Sequence, residues 1–349
     1  MDRQAWLDNV EFRGCEAVPC KVHLSPGARR EHGRALADIA AEYPEIQSQQ
    51  WSDTWDELGE RHTAGSRFAD SWGCLWENVH DGIVGQPTRF PLADWSALED
   101  FEPPSPASQT HMGEVDWEEE RRLIESGRAE GVLIRGSVDH GFFFQRLYYL
   151  RGFNNLMVDI ATADPRLDEL CTIVLDFNRG LVERYLDIGV DVMVFGDDLG
   201  MQDRLPISPQ HWRRYVKPAY AKLFGMCREA GSHVYLHSDG YIVDIMPDLL
   251  ECGVTVLNPQ DLCNGLGTIR QILKGRVCID LDIDRQRIIP RLSPADVEAH
   301  IRRCIELLGT PEGGLMLTCG VYEGTPLENL RALYRAMDRY RHLPAEDGA

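Results

Sequence analysis

Between residues 189 and 341 the chain alternates short apolar runs with longer amphipathic ones five times in succession. "GVDVMVFGDDLG" (189–200) precedes "SPQHWRRYVKPAYAKLFGMCREAG" (208–231), and "SHVYLHSDG" (232–240) precedes "YIVDIMPDLLECG" (241–253). "VTVLNPQD" (254–261) leads into "GLGTIRQILKG" (265–275), "RVCIDLDID" (276–284) into "SPADVEAHIRRCIELLG" (293–309), and "GGLMLTCGVYEG" (313–324) into "TPLENLRALYRAMDRYR" (325–341). The short runs are continuously apolar, as strands are when a parallel sheet is covered on both faces. The longer ones carry helix punctuation: Ser208 and Pro209 at one start, Ser293 with Asp296 at another, and Gly231 and Gly309 at ends. Pro218 is expected to kink or split its helix.

Upstream, "AVPCKVHLS" (17–25) and "EGVLIRGSVDH" (130–140) read as two more strands and 166–189 as a helix. Seven strand candidates in βα order predict an α/β protein, a single (β/α)8 barrel domain over 1–349 with one strand unaccounted for. No GxGxxG follows the first strand, which argues against a doubly wound sheet. Residues 40–130 are irregular. "DSWGCLWENV" (70–79) predicts an inserted hairpin, and the proline-rich, acidic 92–120 a surface connection. "HGFFFQRLYYLRGFNN" (140–155) reads as core, with packing over a flat substrate or a corrinoid as the alternative.

The 36 Lys and Arg against 56 Asp and Glu give a net charge of −20, which repels nucleic acid in the absence of a basic patch. No apolar run is long enough to span a membrane, and "MDRQAWLDNVEFRG" lacks a signal-peptide core. The ten cysteines form no CxxC pair, so a reducing, cytoplasmic setting is expected.

In such a barrel the chemistry lies at the C-terminal strand ends. Six successive ends carry acids, histidine or thiol: Asp139-His140, Asp197-Asp198, His237-Ser238-Asp239, Asn258 to Asp261, Asp280 to Asp284, and Cys319 to Glu323. Helix capping explains one or two such ends but not all. His237 and Asp239 are two apart and share a face. With Asp261 and Cys319 from neighbouring ends they form a candidate metal set, within the roughly 2.0–2.3 Å reach of zinc. Asp280 and Asp282 are read as alternating, so that only one faces the mouth.

The segments "LHSDG", "LNPQD", "LKGRV" and "GTPEGGLMLTCGVYEGTPLENL" resemble the uroporphyrinogen decarboxylase superfamily over about 185–335. "ISPQHWRRYVKPAY" does so too, and "GQPTRFPLADWSAL" resembles its less-characterised members. The resemblance implies a (β/α)8 barrel and a homodimer. It is closer to the zinc-dependent, corrinoid-linked methyltransferase (demethylase) branch than to true decarboxylases. The arginine order in "PCKVHLSPGARREHGRALAD" (19–38) departs from the motif that holds tetrapyrrole carboxylates, and the acidic rim disfavours such a substrate. His237, Asp261 and Cys319 match that branch's zinc ligands, while Asp239 stands where it has cysteine, a harder ligand. The resemblance thus implies demethylation of a small O-, N- or S-methyl donor, with methyl transfer to a separate corrinoid protein or a thiol. The chain's own sequence lacks the DxHxxG corrinoid motif. Asp198, Tyr322 and Glu323 are then candidates for leaving-group protonation, and Arg135, His140, Asn258, Gln260 and Asp282 for the substrate pocket. Two rivals stay open: a metal-free decarboxylase with acids as proton donors, and, lowest, a metal-dependent hydrolase, for which the first strand supplies only His23.

Overall fold

The computed structural model describes residues 2–46, 52, 54, 55 and 57–342. Ten strands occur among them: β1 Cys20–Leu24, β2 Arg67–Ala69, β3 Leu75–Glu77, β4 Gln86–Arg89, β5 Arg135–Ser137, β6 Val192–Gly196, β7 His233–Ser238, β8 Val256–Pro259, β9 Cys278–Asp282 and β10 Leu315–Val321. Seven form one sheet in the order β1-β10-β9-β8-β7-β6-β5, every pair parallel. The first strand of the chain pairs with the last, so the sheet curls toward a barrel. The expected eighth strand is not found among the described residues, and β5 and β1 are left as unpaired edges. Between them in sequence lie the helix Pro26–Ala41 and a separate antiparallel sheet β2-β3-β4. The hairpin expected over 70–79 is the middle of that small sheet.

Side chains alternate across each strand, and the two faces meet different partners. Val234 and Leu236 of β7, Ile279 and Leu281 of β9, and Leu315, Leu317, Cys319 and Val321 of β10 belong to the large apolar core shared with the helices. Val192, Val256, Cys278 and Met316 form a second cluster inside the barrel, with Tyr235 packed against it. Trp6 and Val10 of the N-terminal helix Arg3–Val10 complete that inner cluster. This helix closes the N-terminal end of the barrel, and Asn9 ties it down by donating to Leu315 O (3.2 Å) and accepting from Gly314 N (3.0 Å).

The helices end where their punctuation predicts. Ser293 and Asp296 form a capping box at Pro294–Leu308, and Ser208 caps Pro209–Tyr215. Pro218 splits the next stretch into Pro209–Tyr215 and Lys217–Glu229. The 92–120 connection departs from the expectation. Trp95 is buried, donates from Nε1 to Asp159 (3.2 Å) and has the Arg151 guanidinium 4.1 Å over its ring. Helix Trp117–Ala129 also begins inside it, capped by Asp116. The aromatic stretch 140–155 is mostly core: Phe142, Phe143, Phe144 and Leu147 are buried. All ten cysteines are free thiols. No helix among the described residues is long and apolar enough to cross a membrane.

Asp70 joins the small sheet to the barrel. Its carboxylate accepts from Trp72 N (3.0 Å), Cys74 N (2.9 Å) and Trp76 Nε1 (3.0 Å). It also pairs at 2.6 Å with Arg146 of the helix Phe144–Arg151, and both side chains are fully buried. Removing one partner strands the other charge out of water. Asp70→Asn is expected to lose about 3 kcal/mol of unfolding free energy in urea denaturation, and a loss below about 1 kcal/mol would show the pair to be incidental.

Candidate active site at the barrel mouth

His237 is the last inward-facing residue of β7, level with Gly196 of β6 and Asn258 of β8. Asn258 Oδ1 lies 2.5 Å from His237 Nδ1, and the Asn258 amide donates to the Asp280 carbonyl. That second bond orients the amide with its oxygen toward the ring, so Nδ1 carries the proton and Nε2 faces the mouth. There Nε2 meets Asp239 Oδ1 at 3.2 Å and Asp198 Oδ1 at 3.8 Å. Asp198 also accepts from His140 Nε2 (3.1 Å), Gln145 Nε2 (3.2 Å) and Asp239 N (3.1 Å). Gly240 permits the turn after Asp239: its φ is +81°, and a Cβ there would lie 2.4 Å from the Gly200 carbonyl. Gln260 Oε1 holds the same turn by accepting from Gly240 N (2.8 Å).

Arg285 closes one side of the cluster. Its Nη2 donates to both Asp239 oxygens (2.8 and 2.6 Å), and its Nη1 to Asp282 (2.5 Å). The Tyr322 ring lies 5.6 Å from the guanidinium carbon, and its side chain is partly exposed.

These charges set the titration of the site. Burial alone depresses the His237 imidazolium, but Asp239 and Asp198 outweigh it and raise the pKa to about 9. Burial pushes the Asp239 carboxyl up, but His237 and Arg285 outweigh it and bring the pKa down to about 2. For Asp282 burial wins over Arg285 and raises the pKa to about 6. Asp198 is lowered, its burial outweighed by His140 and His237.

The other residues singled out in the sequence scatter. Asp261 turns away from the mouth and accepts from His300 Nε2 (2.6 Å) of the helix Pro294–Leu308. Cys319 lies on the helix-facing side of β10, fully buried, and burial raises its thiol well above the ordinary range. So of the four expected metal ligands only His237 and Asp239 come together. Three groups of ligand atoms within 4.8 Å of one another occur among the described residues: His140–Asp198–His237, His237–Asp239–Asp282 and Asp261–His300–Cys304. Asp280 and Asp282 are two apart, so both face the interior, Asp282 at the mouth and Asp280 deeper; the expected alternation does not occur. Arg135 also lies deeper, and Glu323 packs against Gly27 at the start of the helix after β1. Asp197 is structural: it accepts from Phe144 N (2.6 Å), Gln145 N (2.9 Å) and Tyr220 Oη (2.8 Å). Arg285 and Gln145 were not foreseen. The only sign of Arg285 is its place three residues after Asp282. A concavity of about 960 Å³ lies at the other barrel end beside Asp8, Arg13 and Arg341 and gathers none of these ligand groups.

An α/β half-barrel with histidines, carboxylates and an arginine at the C-terminal strand ends is the class of protein defined so far. The uroporphyrinogen decarboxylase (URO-D) family model matches residues 144–340, more than half of the chain, and the chain belongs to that family. A methylated-thiol–coenzyme M methyltransferase of Methanosarcina mazei is 32% identical over 135 residues, 37% of this chain and 33% of the relative. Methylcobamide:CoM methyltransferase MtaA of Methanosarcina barkeri is 26% identical over 167 residues, 44% of this chain and 43% of the relative. The matches thus span less than half of either relative. A solved methyltransferase from Methanosarcina mazei superposes with a TM-score of 0.63 at 16% identity, covering 97% of this chain and 98% of that one, so the fold is shared end to end.

In the metal-free protein the His237 imidazolium gains from Asp239 and Asp198 only when folded. That stabilisation is complete below about pH 6.5, the ordinary histidine value, and is lost as pH rises through about 9. The His237 ring resonance is expected to titrate near pH 9, and in Asp239→Asn to move toward the ordinary value. A wild-type midpoint near pH 6.5 would exclude the pairing.

Proposed function

We propose that the chain transfers a methyl group from a small methylated donor, a thioether or methyl ether, to a corrinoid carried by a separate protein or to a thiol. The observation that carries this reading is the convergence of His140, Asp198 and His237 at the mouth of a barrel whose relatives are named methyltransferases. These residues fit a divalent metal. Two imidazoles and one carboxylate suit zinc, and three protein ligands leave room for substrate. His237 Nδ1–H is held by Asn258, which leaves Nε2 as the ligating atom, the arrangement in which an outer partner fixes the ring. Without a cation, Asp239 is compensated by Arg285 and a proton on His237, and Asp198 by His140 and His237. A bound metal would supply Lewis-acid polarisation of the heteroatom that carries the methyl group. Asp239 is less suited as a ligand, because Arg285 already engages both of its oxygens.

The protein's own groups divide the remaining work. Gln145 and the Asp239 amide hold Asp198 in place. Tyr322, exposed at the edge and set over Arg285, offers a ring face and a hydroxyl to substrate.

The same Arg285 favours a second reading, a metal-free carboxy-lyase. The His237 imidazolium, protonated at neutral pH, would donate its proton to the carbon that keeps the electron pair when carbon dioxide leaves. Elemental analysis separates the readings. Protein purified anaerobically without chelator is expected to hold about one equivalent of zinc per chain. His237→Ala and Asp198→Ala are expected to lose it, while Cys319→Ala keeps it, because Cys319 faces the helices. Asn258→Ala should weaken metal binding by roughly 10–100-fold. Metal absent even after reconstitution, with carbon dioxide released from a carboxylated substrate, would establish the lyase instead.

A further inference from the structure

Beneath the mouth the barrel interior holds a cavity of about 180 Å³. Trp6 forms part of its wall, and Lys21, His23, Arg135, Tyr235 and Asp280 supply its polar lining. Tyr235 precedes His237 by two residues on the same face of β7, so the cavity begins about 7 Å below the His237 level. The position is directly in line with the site at the mouth.

The charges in the cavity are not matched to one another. Asp280 Oδ2 accepts from Tyr235 Oη (2.9 Å), but its Oδ1 is buried without a hydrogen-bond partner. Lys21 and Arg135 line the same space and make no salt bridge within 4.0 Å among the described residues. Burial, and then the Arg135 charge, lower the Lys21 ammonium. Burial raises the Asp280 carboxyl. These are the signs of charges drawn partly out of water without direct pairing at Lys21 and Asp280, while the Arg135 side chain stays exposed at the barrel edge. With His23 neutral, two cations against one carboxylate leave an excess of one positive charge. A buried carboxylate oxygen without a hydrogen-bond partner and two cations that share one carboxylate at a distance and form no direct ion pair among the described residues call for a ligand that supplies both an anion and a donor.

We propose that this cavity is a subsite for a small organic acid with a hydrogen-bond donor beside its charge, an α-hydroxy or α-amino acid head. Its carboxylate lies between Lys21 and Arg135, its donor group bonds Asp280 Oδ1, and the rest of the molecule points up the barrel toward His237. The assignment of this ligand as the acidic end of the substrate rests on the methyl-transfer reading; the binding chemistry does not.

The test uses the full chain and three probes, acetate, glycolate and glycine, in ligand-observed NMR titrations. Acetate offers the anion alone, glycolate adds a hydroxyl donor and glycine an ammonium donor. Glycolate and glycine are expected to bind roughly five-fold tighter than acetate, the worth of one added hydrogen bond. Lys21→Met and Arg135→Met should each weaken all three by about ten-fold or more. Asp280→Asn should remove the advantage of glycolate and glycine and leave acetate at least as tightly bound. The comparison of the three probes on the wild-type chain stands even if a variant fails to fold. Equal binding of all three probes, or binding unchanged in Lys21→Met and Arg135→Met, would overturn the subsite. A chain that shows the expected pattern but moves no methyl group keeps the subsite and loses the methyl-transfer reading.

Discussion

Every functional assignment in this molecule depends on the alternation of side chains across a parallel strand whose two faces meet different surroundings. One face of each barrel strand packs on helices and the other looks into the barrel. The rule puts His233, Tyr235 and His237 of β7 inside, and Cys319 of β10 outside with Leu317 and Val321. A single residue of register separates a side chain at the mouth from a core thiol. Gly320, the inward neighbour of Cys319, carries no side chain, and the Tyr322 ring stands close by instead.

The second organising fact is the charge balance at the mouth. Asp198, Asp239 and Asp282 crowd around two imidazoles, with Arg285 as the permanent cation. Carboxylates at this spacing and burial do not all stay ionised without compensation. The site answers in three ways at once: His237 holds a proton to about pH 9, Asp282 titrates at about 6, and Arg285 clasps two acids. Its groups therefore sit on either side of neutrality, which is what acid–base or cation-assisted chemistry needs.

Much of this was legible in advance for physical reasons. Strand and helix order followed from apolar runs and caps. Residues such as Ser293, Asp296 and Pro218 act through their immediate neighbours, so their effect is local. Naming His237, Asp239, Asp198 and Asn258 needed only the rule that strand ends carry the chemistry. Two further assignments depended on which face each residue takes, and both changed. Asp261 begins a short helix and turns toward His300. Asp280 lies deeper than Asp282 on one shared face. Arg285 was unreadable because an arginine in a loop gives no local sign of where its long side chain ends.

The sequence by itself determined the class of fold, the family and the strand ends where polar chemistry collects, because periodicity and punctuation are short-range properties. The tertiary structure alone decided which polar residues meet. His140, Asp198 and His237 are joined only because β5, β6 and β7 are neighbours in register, and Lys21, Arg135 and Asp280 only because β1, β5 and β9 face one interior. Contacts across a curled sheet depend on register and tilt, and these are set by the packing of all the strands and helices together.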